Sequence, residues 1–153
     1  MKIVVILSDN GILEKNKDEL QHRFKDADIV WMKRRMISGH KENIVANIKN
    51  ENPDLCVVEN LEGFDMRTLT DAVAYNLIHC RQIHLLYNSA EWEKKCEALE
   101  GQLSLNMFFL CKEEDTAKRL GETYKQIPFI KSMTDSNDII EEVASLAEYA
   151  CSI

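Results

Sequence analysis

Polar residues able to bind or react stand at intervals along this chain, each set directly behind a short apolar run. Ser8-Asp9-Asn10-Gly11 follows Ile3–Leu7, and Lys33-Arg34-Arg35 follows Ile29–Met32. Glu59-Asn60 follows Leu55–Val58, Asn88-Ser89 follows Ile83–Tyr87, and Lys112-Glu113 follows Met107–Cys111. If the apolar runs are strands of a parallel sheet, all these endpoints share one edge, and open α/β sheets bind ligands at that edge. Asp9, Arg34, Arg35, Ser38, Glu59, Asn88 and Lys112 are therefore the candidate ligand-binding residues.

Two further constellations stand out. In Arg34-Arg35-Met36-Ile37-Ser38-Gly39-His40, two guanidinium groups precede a helix start capped by Ser38. Arg charge and free helix N–H groups together suit an anion such as a phosphate-bearing small ligand. In the segment from Glu62 to Asn76, Asp65, Thr68 and Asp71 recur at i, i+3 and i+6, which carries them on the first turns of a helix after the third strand. Asp65 and Asp71 are the candidate catalytic acids if the chain is an enzyme.

The elements that must position these groups alternate strand and helix. Strands are expected at Lys2–Leu7, Asp28–Lys33, Asp54–Glu59, Gln82–Tyr87, Leu105–Cys111 and, at the sheet edge because Pro128 removes a ladder donor, Gln126–Lys131. Helices are expected from about Glu14 to Lys25, from near Ser38 to just before Pro53, and over Phe64–Cys80. Others are expected from Ser89 or Ala90 with Trp92, Cys96, Leu99 and Leu103 inward, from Glu113 with Ala117, Leu120 and Tyr124 inward, and over Ser136–Ala150. Regular alternation with short connections predicts a single α/β domain over residues 1–153. It should be a three-layer sandwich with a mostly parallel sheet of five or six strands, flavodoxin-like or Rossmann-like.

The order of strand-end residues resembles the response-regulator receiver domain. That family places acids after strand one, a phosphoacceptor Asp after strand three, a Ser or Thr after strand four and a Lys after strand five. Asp9, Glu59, Ser89 and Lys112 match those places, and Pro53-Asp54-Leu55-Cys56-Val57-Val58-Glu59 is similar to the family's third strand. The resemblance spans residues 1–112. Ser8 stands where a second acid is usual, and Glu59 replaces the acceptor Asp, so the resemblance implies a receiver-like module without phosphotransfer. The Asp65–Asp71 segment distantly resembles the acid-bearing helix of nucleoside deoxyribosyltransferases and TIR-type glycosidases. That likeness implies the alternative, a small enzyme acting on nucleosides, nucleotides or sugar nucleotides.

Composition excludes several classes. The net charge of −7 disfavours nucleic acid and anionic membranes as partners. The first apolar run is too short for a signal-peptide core, and none is long enough to span a bilayer, so the expected location is the cytoplasm. Cys56, Cys80, Cys96, Cys111 and Cys151 lack the spacing of a zinc knuckle or redox dithiol and read as buried free thiols. His22, His40, His79 and His84 show no metal-ligand spacing, and no metal is expected. There is no Gly-x-Gly-x-x-Gly, no P-loop lysine and no Gly-x-Ser-x-Gly, so no cofactor is expected. The partner is expected to be a protein or a small anionic ligand. Tyr75, Trp92, Phe108 and Phe109 serve either a core or an interface, which leaves room for a homodimer.

Overall fold

The computed structural model describes residues 1–8, 11–33, 41–59, 80–86, 107–123, 129–132 and 139–152. Six parallel strands form one sheet: β1 (Lys2–Leu7), β2 (Asp28–Lys33), β3 (Leu55–Glu59), β4 (Arg81–Leu86), β5 (Met107–Cys111) and β6 (Phe129–Ser132). Their order is β2-β1-β3-β4-β5-β6, which puts β6 on the edge, as Pro128 suggested. The helices are α1 (Ile12–Lys15), α2 (Lys17–Arg23), α3 (Lys41–Glu51), α4 (Glu114–Thr123) and α5 (Ile139–Ser152). This is the α/β architecture of flavodoxin-like and Rossmann-like folds. Among the described residues no helix is long and apolar enough to cross a membrane.

Period-two alternation splits each strand between the two faces of the sheet. Ile3, Val5, Leu7, Leu55, Val57, Ile83, Leu85, Phe108 and Leu110 point to one face. There they join Leu13, Leu20 and Phe24 of the α1–α2 region and Ile139, Val143, Ala147 and Ala150 of α5 in one buried cluster. Right-handed crossovers explain the division. The step from β1 to β2 runs one way across the sheet and every later step runs the other way. The first helices therefore cover one face, and α5, which follows the edge strand β6, packs on that same face. Ile48 of α3 is fully buried yet lies outside that cluster, in keeping with this rule.

Several boundaries differ from the sequence expectation, for local reasons. The single helix expected over Glu14–Lys25 is two pieces. Asn16 breaks it: its side-chain Nδ2 donates to the Ile12 carbonyl at 2.8 Å, and its backbone N–H reaches Ile12 and Leu13. A short amide side chain competing for helix carbonyls is a known stop signal. The Asn16 carbonyl then accepts the Leu20 N–H at 3.0 Å, so the same residue starts α2. At the end of α3, Asn52 adopts φ 47°, the left-handed turn that Asn tolerates best after Gly, and Pro53 follows. β3 starts at Leu55 rather than Asp54, because Asp54 serves as a latch. Its carboxylate accepts the Lys2 N–H at 2.8 Å, and its own N–H donates to the Lys2 carbonyl at 2.8 Å. β4 begins one residue early, at Arg81, and β6 runs to Ser132.

In α4 the buried positions are Thr116 and Leu120, while Ala117 is half-buried, so the inward face starts one residue before the expected one. Phe108 and Phe109 are both core residues, one on each face. Cys56, Cys80 and Cys111 are buried free thiols as expected; Cys151 is exposed instead, in the last turn of α5, where its Sγ lies 3.3 Å from the Met1 Sδ. The helices expected over 64–80 and 89–103, together with Tyr75, Trp92, Cys96 and Tyr124, lie outside the described residues, apart from Cys80.

The Asn52 turn makes a direct prediction. Asn52→Val should lower stability by about 1–2 kcal/mol, because a branched side chain resists a positive φ, whereas Asn52→Gly should be close to neutral. Urea denaturation of both variants checks this.

Candidate functional site

Parallel pairing brings the strand ends to one edge. Leu7 pairs with Lys33 across β1 and β2, Val58 and Glu59 pair with His84 and Leu85, and Leu86 pairs with Cys111. Of the candidate binding residues, Glu59 and Lys112 are described, and both stand at this edge. Asp9, Arg34, Arg35, Ser38 and Asn88 lie outside the described residues, as do the candidate acids Asp65 and Asp71.

Glu59 is the last residue of β3 and shares the face of Leu55 and Val57, beneath α1. Its carboxyl group is buried, at 1% exposure. Oε2 accepts the N–H of Leu13 at 2.9 Å, and Oε1 accepts the N–H of Ser8 at 3.3 Å. Leu13 is the second residue of α1, so Glu59 supplies from a distance the acceptor that a capping side chain normally provides. The local N-cap residue, Gly11, has no side chain to do this. Gly11 stands here for space and not for backbone freedom. Its φ is −76°, accessible to any residue, but a Cβ at this position would land inside the Glu59 carboxylate. The Gly11 N–H closes the turn on the Ser8 carbonyl at 3.2 Å.

Around this centre the rim residues differ in how tightly they are held. Lys33 ends β2 and pairs with Glu14 of α1 at 2.6 Å, both half-exposed, while Lys17 lies 4.9 Å over the Trp31 ring. These contacts tie the edge strand to the first helices. Lys112 follows β5 directly. Its backbone N–H donates to the Leu86 carbonyl at 2.8 Å, and it is exposed with no ion pair to a described residue. β3 and β5 stand two strand spacings apart, about 10 Å. The Ser8 hydroxyl is buried without a hydrogen-bond partner among the described residues, as is that of Thr116 in the first turn of α4.

The opposite face of β4 carries a second polar pair that sequence reasoning did not single out. Gln82 and His84 are both fully buried, and His84 Nε2 lies 3.0 Å from Gln82 Oε1. An amide oxygen can only accept, so the His84 proton belongs on Nε2, leaving Nδ1 as an acceptor. Neither Nδ1 nor Gln82 Nε2 has a partner among the described residues. The His84 ring also meets Phe109 edge-on, with centroids 5.6 Å apart. Burial pushes the His84 pKa down to about 3. Burial likewise pushes the Cys80 thiol up to about 12 and that of Cys56 well above its ordinary value, so neither is a ready nucleophile. His84 is thus a structural histidine, buried and bonded to Gln82. Among the described residues no group of His, Cys, Asp and Glu is arranged to hold a metal ion.

What could have exposed the Glu59–Gly11 pair in the sequence is periodicity. Leu55, Val57 and Glu59 share a face, so the one acid on a buried stripe must find donors there, and the glycine before Ile12 marks where space was required.

Two predictions follow from these contacts. Gly11→Ala should destabilise the protein by about 1–3 kcal/mol through crowding. Much of that loss should vanish when Glu59 is also changed to Ala, a coupling that a double-mutant cycle in urea reads directly. For His84, the folded pKa lies below that of the unfolded chain. Its contribution is therefore intact above pH 6.5 and drains away as the pH falls towards 3. Between pH 7 and pH 5 it should cost about 2 kcal/mol. Stability of His84→Gln should accordingly fall less steeply over that interval than that of the parent protein. No protein-family model matches the chain, and no curated protein matches it.

Proposed function

We propose that this chain is a cytoplasmic α/β binding or regulatory module that recognises a partner protein or a small anionic ligand at the C-terminal edge of its sheet. The observation that carries the reading is the strand order β2-β1-β3-β4-β5-β6 with every strand parallel. It reverses direction between β1 and β3, and ligands of such sheets settle at that edge. The described polar groups there support recognition over catalysis. Glu59 is held between backbone N–H groups, Lys33 is tied to Glu14, and the exposed Lys112 presents a cation to solvent. A carboxylate so engaged also supports a receiver-like module without phosphotransfer.

Native mass spectrometry of the protein purified from its own host tests this. The parent protein should retain a bound chain or anion, and Lys112→Glu or the Arg34→Ala/Arg35→Ala pair should release most of it. Retention by both variants would remove these residues from the recognition surface. Incubation with deoxynucleosides, NAD and nucleotide sugars should yield no free base or nucleotide. Release that depends on Asp65 and Asp71 would replace this reading with glycosyl transfer.

A further inference from the structure

We propose that Glu59 is a specificity-determining residue that acts by exclusion: its carboxylate is an internal anion that closes the crevice between the ends of β1 and β3 to phosphate- and carboxylate-bearing ligands. This takes the C-terminal edge as the recognition surface and assigns what one part of it refuses. The occupant is the chain's own side chain, so no external ligand is assigned to the four-residue α1.

Three observations carry the proposal. First, the amides of Ser8 and Leu13 converge on one buried carboxylate, at 3.3 and 2.9 Å, so the donors that could have met an incoming anion are already engaged. Second, Gly11 leaves only enough space for that carboxylate, since even a methyl group there would overlap it. A phosphate is larger than a methyl group and cannot enter while Glu59 remains. Third, Glu59 cannot swing aside cheaply. It is 1% exposed and ends a strand paired on both sides by β1 and β4, so moving it strands backbone donors in a buried place. Steric filling and like-charge repulsion therefore act together against an anion at this point of the rim. The effect is local and leaves the surface near Lys112 open.

The test uses the full chain, the variants Glu59→Ala and Glu59→Gln, and two probes, sodium acetate and inorganic phosphate, each compared with sodium chloride at equal ionic strength. In the parent protein neither probe should move the Ser8 and Leu13 amide resonances beyond the chloride control. Glu59→Ala vacates a slot of carboxylate size. Acetate at roughly ten times its dissociation constant should raise its melting midpoint by about 3–6 °C and shift those two amides. Glu59→Gln keeps the slot filled and should show no acetate rescue, so it provides a folded control if Glu59→Ala is too unstable. In that event, hydrogen exchange at the Leu13 amide of Glu59→Gln should quicken relative to the parent, because an amide oxygen is a weaker acceptor than a carboxylate. Anion-specific shifts of Ser8 and Leu13 in the parent protein would overturn the proposal. So would a folded Glu59→Ala that acetate does not stabilise, or a Leu13 amide in Glu59→Gln that exchanges no faster than in the parent. None of these readings needs the natural partner, so failure of the binding-module reading would leave this result standing and the reverse would also hold.

Discussion

A carboxylate taken out of water must be met by donors, and at the end of β3 the donors are backbone amides of the first strand–helix turn. That single requirement links two places far apart in the chain. Glu59 needs the Ser8 and Leu13 N–H groups, those groups need the turn that Gly11 closes, and the turn needs Gly11 to lack a side chain. The pairing of β1 with β3 brings the partners together, with Ile6 opposite Val58 one step before the strand ends. At the other end of the same two strands, Asp54 and Glu51 bind Lys2. The central pair is thus tied at both poles by polar contacts, with an apolar stretch between them. The interior ones matter most, since exposed ion pairs such as Lys2–Glu51 contribute little each.

The two faces of the sheet solve their burial problems differently. Among the described residues, the fully buried side chains on the face under α1, α2 and α5 are apolar apart from Glu59, whose carboxylate is met by backbone N–H groups. The other face accepts Gln82 and His84 in the middle of β4, where His84 is kept neutral and partnered by an amide. A neutral imidazole bonded to an amide costs far less to bury than an ion, which explains how β4 holds two polar side chains at full burial. Cys56 pairs across the sheet with Gln82 and Phe109 with His84, so small or aromatic neighbours flank both.

Much of the fold was legible in residue patterns. Continuous apolar runs such as Ile3–Leu7 and Leu55–Val58 can only be central strands of a buried parallel sheet, and Ile139, Val143, Leu146, Ala147 and Ala150 repeat with helical spacing and are all buried in α5. The errors were local. Asn16 splits a helix because of a side-chain hydrogen bond that no periodicity reports, and in α4 Leu120 is buried as expected while the polar Thr116 is buried more deeply than Ala117. Of the candidate site, the edge itself was foreseeable, but the state of Glu59 was not. As a polar residue after an apolar run it looked like a group presented to a ligand, and it is turned inward to a helix start.

The sequence by itself determined that strands and helices alternate, that the strands run parallel, and that polar residues end them. Those properties follow from short-range periodicity and from the connection lengths, which need no knowledge of distant contacts. Tertiary structure alone decided the strand order, the partner of each charged group, and therefore whether a carboxylate at a strand end faces water or backbone. Such choices depend on which atoms from remote segments meet within about 3 Å, and a linear chain does not carry that information position by position.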